Sequence, residues 1–233
     1  MHDRTELKPI AYIRTDFPEK FGIPRQSNLV DGLKGRIVFE PEYRSPEALR
    51  GLEEYDYLWL IWGFQGTERE SWSPTVRPPR LGGNVRKGVF ATRSPFRPNP
   101  IGLSSVRIQE IRQTKDGSEI LVAGVDMRDM TPVYDIKPYL PHIDCHPQAR
   151  GGFAGLVRDD CLTVEFPPEL LEKIPPEKRE ALTEVLRQDP RPHYQKDAER
   201  IYGFGFAGYE VRFCVAGDCG GGEAVRPEAE GAG

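Results

Sequence analysis

The chain has 233 residues, 32 basic and 36 acidic side chains for a net charge of −4, and 38% hydrophobic content, enough for a full core and too much for a wholly disordered chain. Its longest apolar run, residues 57–64 (YLWLIWGF), is far short of the ~20 residues a membrane span needs, and the start MHDRTELKPI lacks the apolar stretch of an export signal. Cys145, Cys161, Cys214 and Cys219 form no C-x-x-C pair, so the reading is a soluble, cytoplasmic protein in a reducing compartment, with no membrane partner.

Alternating, β-branched and aromatic runs predict strands at residues 10–14, 36–39, 57–62, 85–92, 105–111 and 119–126, with a turn at Lys115, Asp116 and Gly117 between the last two. Ser45 followed by Pro46, with Leu49 and Leu52 three apart, predicts one early helix capped by Ser45. Several short strands within about 130 residues favour a closed antiparallel barrel over a doubly wound sheet, and no dinucleotide fingerprint is present. The class is mostly β with an α+β addition. The first domain is placed at residues 1–160 and a small C-terminal α+β domain at 161–216. There Ala181, Leu182, Val185 and Leu186 form the apolar side of a helix, and strands are predicted around 202–206 and 209–215. The Gly, Ala and Glu-rich residues 217–233 are expected to be an unstructured tail.

Residues 71–109 contain no Asp or Glu, yet hold Arg77, Arg80, Arg86, Lys87, Arg93, Arg97 and Arg107. Contacts to phosphates depend on local charge, so this stretch can meet a nucleic acid despite the acidic average, or be a solvated basic face. Within it, residues 91–104 read ATRSPFRPNPIGLS. Pro95, Pro98 and Pro100 fix their own φ and push the residues before them towards extended geometry. The segment is neither helix nor central strand. It is a stiff presenter of Arg93, Phe96 and Arg97 that loses little entropy on binding.

Residues 126–141 (DMRDMTPVYDIKPYLP) place Asp126, Asp129, Asp135, Lys137 and Tyr139 close together, and Pro132, Pro138 and Pro141 predict a second rigid loop without continuous secondary structure. The aspartates can serve a ligand, cap turns or hold a cation through oxygen. The run His142-Ile143-Asp144-Cys145-His146 has zinc-like composition but lacks a second ligand pair, so it reads as a surface loop and no metal is expected.

Taken together, Ile23-Pro24-Arg25-Gln26, residues 72–83 (WSPTVRPPRLGG), residues 88–102 (GVFATRSPFRPNPIG), residues 131–141 (TPVYDIKPYLP) and residues 189–194 (DPRPHY) resemble the TsaA-like family, within it the bacterial tRNA methyltransferases of the TrmO group. The resemblance implies a β-barrel that binds S-adenosylmethionine without a Rossmann unit, a small C-terminal domain, a homodimer, and methylation of N6 of threonylcarbamoyladenosine at tRNA position 37, beside the anticodon. By motif it implies cofactor contacts from Pro24, Arg25, Gln26, Phe64, Gln65, Arg93, Leu103 and the loop of Asp126, Asp129, Met130 and Thr131. Met130 stands where the family commonly has glycine, which puts that turn's conformation in question.

In-line methyl transfer needs positioning in a dry site, and Phe96, Phe64 and Tyr139 are candidates to stack on the donor. Asp135 is the first choice to accept the proton of the acceptor nitrogen, or else it pairs with Lys137 or Arg97 to fix the loop. Arg97 or Arg25 can meet the threonyl carboxylate. Asp135, Arg97 and Tyr139 form the expected catalytic set. Arg77, Arg80, Arg86, Lys87, Arg191 and Tyr194 form the expected RNA-binding set. The rival classes are a non-catalytic RNA-binding module and a metal-dependent nuclease or hydrolase using Asp126, Asp129, His142 and His146.

Overall fold

A computed structural model of the protein describes residues 6–67, 71–78, 81, 85–155, 161–191, 200–216 and 219–227, the last stretch as backbone only. In chain order the first strands are β1 (Ala11–Arg14), β2 (Lys34–Phe39), β3 (Tyr57–Gly63), β4 (Thr75–Val76), β5 (Lys87–Gly88), β6 (Ile101–Thr114), β7 (Gly117–Ala123) and β8 (Thr131–Pro138). Six of them close an antiparallel barrel in the order β1-β2-β7-β6-β3-β8, sealed by pairing of β1 with β8. The short β4 and β5 pair only with each other.

Alternation in the sequence sets the barrel interior. In KGRIVF and YLWLIWG every second side chain is buried, and Ile37, Leu58, Leu60, Val106, Ile120 and Val122 are all fully inside. Each such burial contributes roughly 1.5–3 kcal/mol. On the opposite face from Ile120, Glu119 is a buried carboxylate that accepts from Arg36 and Arg112 across neighbouring strands.

Several expectations are corrected. Residues 126–141 do not form a continuous loop, because β8 runs through them. Pro132 stands opposite Tyr12 in the pairing of β8 with β1, but in the ladder with β3 pairing begins only at Val133, opposite Trp62, and Pro138 is the last residue of the strand. The missing N–H groups therefore fall outside the interior of that ladder. The strand expected at 85–92 is only Lys87–Gly88 followed by a 3-10 turn, Val89–Ala91. Its partner β4 is bracketed by Pro74 and Pro78, which cannot extend the pairing. The early helix is a 3-10 turn, Pro46–Leu49, and Ser45 makes no side-chain cap.

After α1 (Pro141–Asp144), the C-terminal region contains β9 (Thr163–Glu165), α2 (Pro168–Leu171), α3 (Pro176–Arg187), β10 (Tyr202–Phe206), β11 (Tyr209–Ala216) and β12 (Cys219–Pro227). Its sheet runs β10-β11-β12-β9. α3 buries Ala181, Leu182, Val185 and Leu186, the four residues its periodicity selects. Residues 219–227 form a strand where an unstructured tail is expected. Their backbone pairs with β11 along its whole length, so ladder hydrogen bonds substitute for the apolar face the segment lacks.

The two parts meet on the β1–β2 connection. Phe17 packs edge-on against Phe206 at 5.4 Å, and Phe21 lies among Tyr202, Phe204 and Phe213. At Gly22 (φ +91°) a Cβ would stand 2.4 Å from the Phe204 ring, so only glycine lets this connection approach. Lys178 pairs with Asp16, and the Ala207 N–H donates to the Asp16 carbonyl.

Candidate functional site at one end of the barrel

Antiparallel closure sends the ends of β1, β3 and β7 and the starts of β2, β6 and β8 to the same end of the barrel. Three connections converge there, and with the first residues of β6 and β8 they carry the residues expected to touch the cofactor, except the stacking candidate Tyr139. Pro24, Arg25 and Gln26 lie between β1 and β2. Phe64 and Gln65 follow β3, Arg93 and Phe96 precede β6, and Leu103 is its third residue. Asp126, Asp129 and Met130 join β7 to β8, and Thr131 opens β8. Sequence distance hides this grouping; topology supplies it.

Asp126 is the electrostatic centre. Its Oδ1 is buried and has no hydrogen-bond partner. Burial pushes the carboxyl up to about 6, although the Ser104 hydroxyl, the Ser27 N–H and the Arg93 charge favour the ionised form. Ser104, itself buried, accepts from Trp62 Nε1 at 3.1 Å. Gly102 makes room for that indole, since a Cβ there would lie 2.2 Å from the Trp62 ring. Ser104 does not figure in the sequence reading. The signal was a hydroxyl at an inward position of a strand whose other inward residues are Gly102 and Val106.

The connections at this end of the barrel are braced. Arg93 donates to Gln26 Oε1, and Gln26 Nε2 donates to the Arg25 carbonyl. Gln65 Nε2 donates to the Met130 carbonyl at 3.0 Å, and Arg128 donates to Gln65 Oε1 at 2.6 Å. Met130 adopts φ 60°, the left-handed conformation that suits glycine, and it is 43% exposed. Its N–H bonds to the Ile13 carbonyl while its own carbonyl accepts from Gln65, so both sides of the peptide are held against a steric cost of about 1–2 kcal/mol.

Asp129 and Thr131 are occupied within the protein. Asp129 Oδ1 accepts from Arg14 Nε and the Thr15 N–H, and Thr131 Oγ1 donates to the Arg128 carbonyl. Pro24 is buried. Phe64 packs on the core with its ring 4.3 Å from Trp62. Arg25 Nη2 donates to the carbonyls of Asp189 and Arg191. The Arg25 side chain thus ties the β1–β2 connection to the C-terminal region. Leu103, Phe96 and Met130 remain as large apolar side chains open to solvent.

The expected catalytic residues are spread out. Arg97, in the proline loop, donates to the Thr92 carbonyl at 3.1 Å. Asp135 pairs with Lys137 at 2.9 Å and accepts from the Ile136 N–H. It stands four strand steps from Thr131, about 14 Å away. Tyr139 lies beyond the far end of β8, about 27 Å from Thr131. There it packs on Trp59 and Tyr57, and desolvation, with Cys145 nearby, pushes its hydroxyl up. At that end Asp144 accepts from Trp59 Nε1 and from the Leu140 N–H, which holds its carboxyl below the usual range.

Of the expected RNA-binding residues, Arg77 and Arg86 are exposed, and Arg86 also donates to Thr75 Oγ1. Lys87 sits 5.9 Å from the centre of the Phe153 ring. Arg191 is different, with a side chain 13% exposed and bound through two nitrogens to Asp189. Arg80 and Tyr194 lie outside the described residues. Among the described residues, no three His, Cys, Asp or Glu side chains come together as a metal site.

Residues 12–145 match the tRNA-methyltransferase O N-terminal domain, and residues 159–224 match the TrmO C-terminal domain. The chain belongs to the tRNA-methyltransferase O family. It is 42% identical over 218 residues to the tRNA (adenine(37)-N6)-methyltransferase of Escherichia coli, which covers 90% of this chain and 93% of that protein. The protein of the same name from Eikenella corrodens is 44% identical over 162 residues, 69% of this chain and 91% of that one. A Pseudomonas aeruginosa relative, 39% identical over 205 residues, has S-adenosylmethionine-dependent methyltransferase in its name; the match covers 84% of this chain and 87% of that one. A crystal structure of TrmO from P. aeruginosa superposes with a TM-score of 0.79 at 31% identity, covering 97% of this chain and 99% of that one. This family member is a tRNA methyltransferase built on a barrel.

Proposed function

We propose that this enzyme methylates N6 of threonylcarbamoyladenosine at tRNA position 37, using S-adenosylmethionine held at the Asp126 end of the barrel. The carrying observation is the buried, unpartnered Asp126 Oδ1, set among braced polar walls and exposed apolar side chains. A buried carboxylate oxygen without a donor is costly unless a ligand supplies one. The residues present therefore fit a donor molecule with hydroxyl or ammonium groups and an apolar base.

When bound, S-adenosylmethionine supplies an electrophilic methyl group on a sulfonium. Asp126 would accept hydrogen bonds from it, while Gln26 and Arg93, locked to each other, fix the opposite wall. Leu103, Met130 and Phe96 would cover its base and exclude water, so that positioning contributes most of the rate. Arg97, held by the Thr92 carbonyl in the stiff loop, would meet the threonyl carboxylate. Asp135 would take the proton of the acceptor nitrogen.

Within one chain Asp135 and Tyr139 stand far from Asp126. Their service therefore requires a homodimer in which a second copy brings them to the site, and we include that dimer and a cytoplasmic location in the proposal. Among the described residues no helix is long and apolar enough to cross a membrane. The test is nucleoside mass spectrometry of tRNA incubated with the protein and S-adenosylmethionine. Methylated threonylcarbamoyladenosine supports the proposal, and an unchanged nucleoside pool with bound donor contradicts it.

A further inference from the structure

We propose that Trp72 and Phe90 form a stacking platform for an unpaired RNA base next to the acceptor nucleotide. This rests on the tRNA-methylating function proposed above and adds a surface to it.

Among the described large apolar side chains none is more exposed than Phe90, at 71%, and Trp72 is 52% exposed. Their ring centroids are 6.1 Å apart at 35°, so the two make one broad apolar face. Single exposed aromatics are ordinary, but a joined pair of this size marks a contact surface. Hydrogen bonds brace the chain beside each ring. Between β5 and the proline loop, Val89 is buried, its N–H donates to the Pro74 carbonyl, and Thr92 Oγ1 donates to the Val89 carbonyl. Ser73 Oγ bonds to the Thr75 carbonyl on the Trp72 side.

The choice of occupant follows from charge. The platform lies inside residues 71–109, which hold no acid, and Arg77, Arg86 and Lys87 stand within five residues of one ring or the other along the chain. A twofold contact with a second copy centred here would set two such stretches face to face, which like-charge repulsion disfavours. Single-stranded RNA meets the same surface with phosphates for the cations and flat bases for the rings. Position agrees as well. Arg93, which contacts Gln26 and biases Asp126, is three residues from Phe90, at most ~11 Å along the chain. A base on the platform would thus neighbour the one presented to the methyl donor.

The experiment compares Trp72→Ala/Phe90→Ala with the conservative Trp72→Phe/Phe90→Tyr. It measures binding of an anticodon stem-loop RNA at several salt concentrations, S-adenosylmethionine affinity by calorimetry, and oligomeric state by sedimentation. The alanine pair should bind RNA about 5- to 100-fold more weakly with the same log-log salt slope, because a stack is lost and no phosphate contact is. The aromatic pair should bind like the wild type, and donor affinity and oligomeric state should hold in both. Unchanged RNA affinity in the alanine pair, beside a wild type that methylates tRNA, overturns the platform and leaves the proposed function standing. A changed oligomeric state assigns the pair to a contact between copies and likewise overturns it. A wild type that neither binds nor methylates tRNA overturns both.

Discussion

At one end of the barrel Asp144 receives two N–H donors and titrates below its ordinary range, while at the other Asp126 keeps Oδ1 buried without a partner and is pushed up to about 6. Both are carboxylates on connections beside tryptophans. The first is satisfied within the chain and closes a strand end. The second keeps one oxygen that no group of the described residues satisfies, the condition on which its proposed role in binding rests. The surroundings repeat the contrast, with Tyr139 packed on Tyr57 and Trp59 at one end, and Leu103, Met130 and Phe96 exposed at the other.

The largest expected effect that would break this comparison is at Asp126. Asp126→Asn should lower kcat/KM for methylation at least about 100-fold, because it removes charged hydrogen bonds to the donor. Asp144→Asn should lower the melting temperature by a few degrees and leave the rate per folded molecule within about threefold. Equal rate losses at both positions, measured as initial rates, would erase the distinction between the ends. Next come Asp135→Asn and Arg97→Ala, each expected to cost at least about tenfold in methylation with circular dichroism unchanged, since neither is in the core. Wild-type turnover in both would remove them from the site.

The pH dependence sharpens the comparison further. The folded protein binds the Asp126 proton more tightly than the unfolded chain does, so stability declines as pH rises from about 4 towards about 6 and is level above that. The contribution is up to about 3 kcal/mol, and Asp126→Asn should be the more stable protein at pH 8 by up to that amount. Donor affinity should move the opposite way, strengthening as pH rises through about 6 and the carboxylate forms. Denaturant melts and donor titrations across pH 4–8 check both signs. The smallest effect belongs to the basic stretch: Arg77, Arg86 and Lys87 changed to Gln should flatten the salt dependence of tRNA binding by roughly 0.7–0.9 in log-log slope per lost contact and leave donor affinity unchanged.

Much of this architecture was legible in the sequence because barrel strands alternate strictly, as in YLWLIWG, and because α3 buries the side its period selects. β8 was not. Its prolines read as breakers, yet Pro132 pairs opposite Tyr12 of β1 and both prolines fall outside the interior of the ladder with β3, a fact about register that local sequence does not contain. β12 escaped for a related reason, being a strand held by its neighbour's backbone and lacking an apolar pattern of its own. The residues expected to hold the donor lie in motifs on separate connections, yet that most of them share one barrel end is a consequence of antiparallel closure. The same closure places Tyr139 at the opposite end, and it reveals Ser104, which the motifs passed over. Met130 shows how a residue can hold a glycine's conformation when both of its neighbouring peptide groups are bonded.

The most direct measurement is calorimetric titration of S-adenosylmethionine into the wild type, Asp126→Asn and Tyr139→Phe under the same conditions. Donor binding at the Asp126 end predicts that Asp126→Asn loses most of its affinity while Tyr139→Phe binds like the wild type. Full affinity in Asp126→Asn would contradict it.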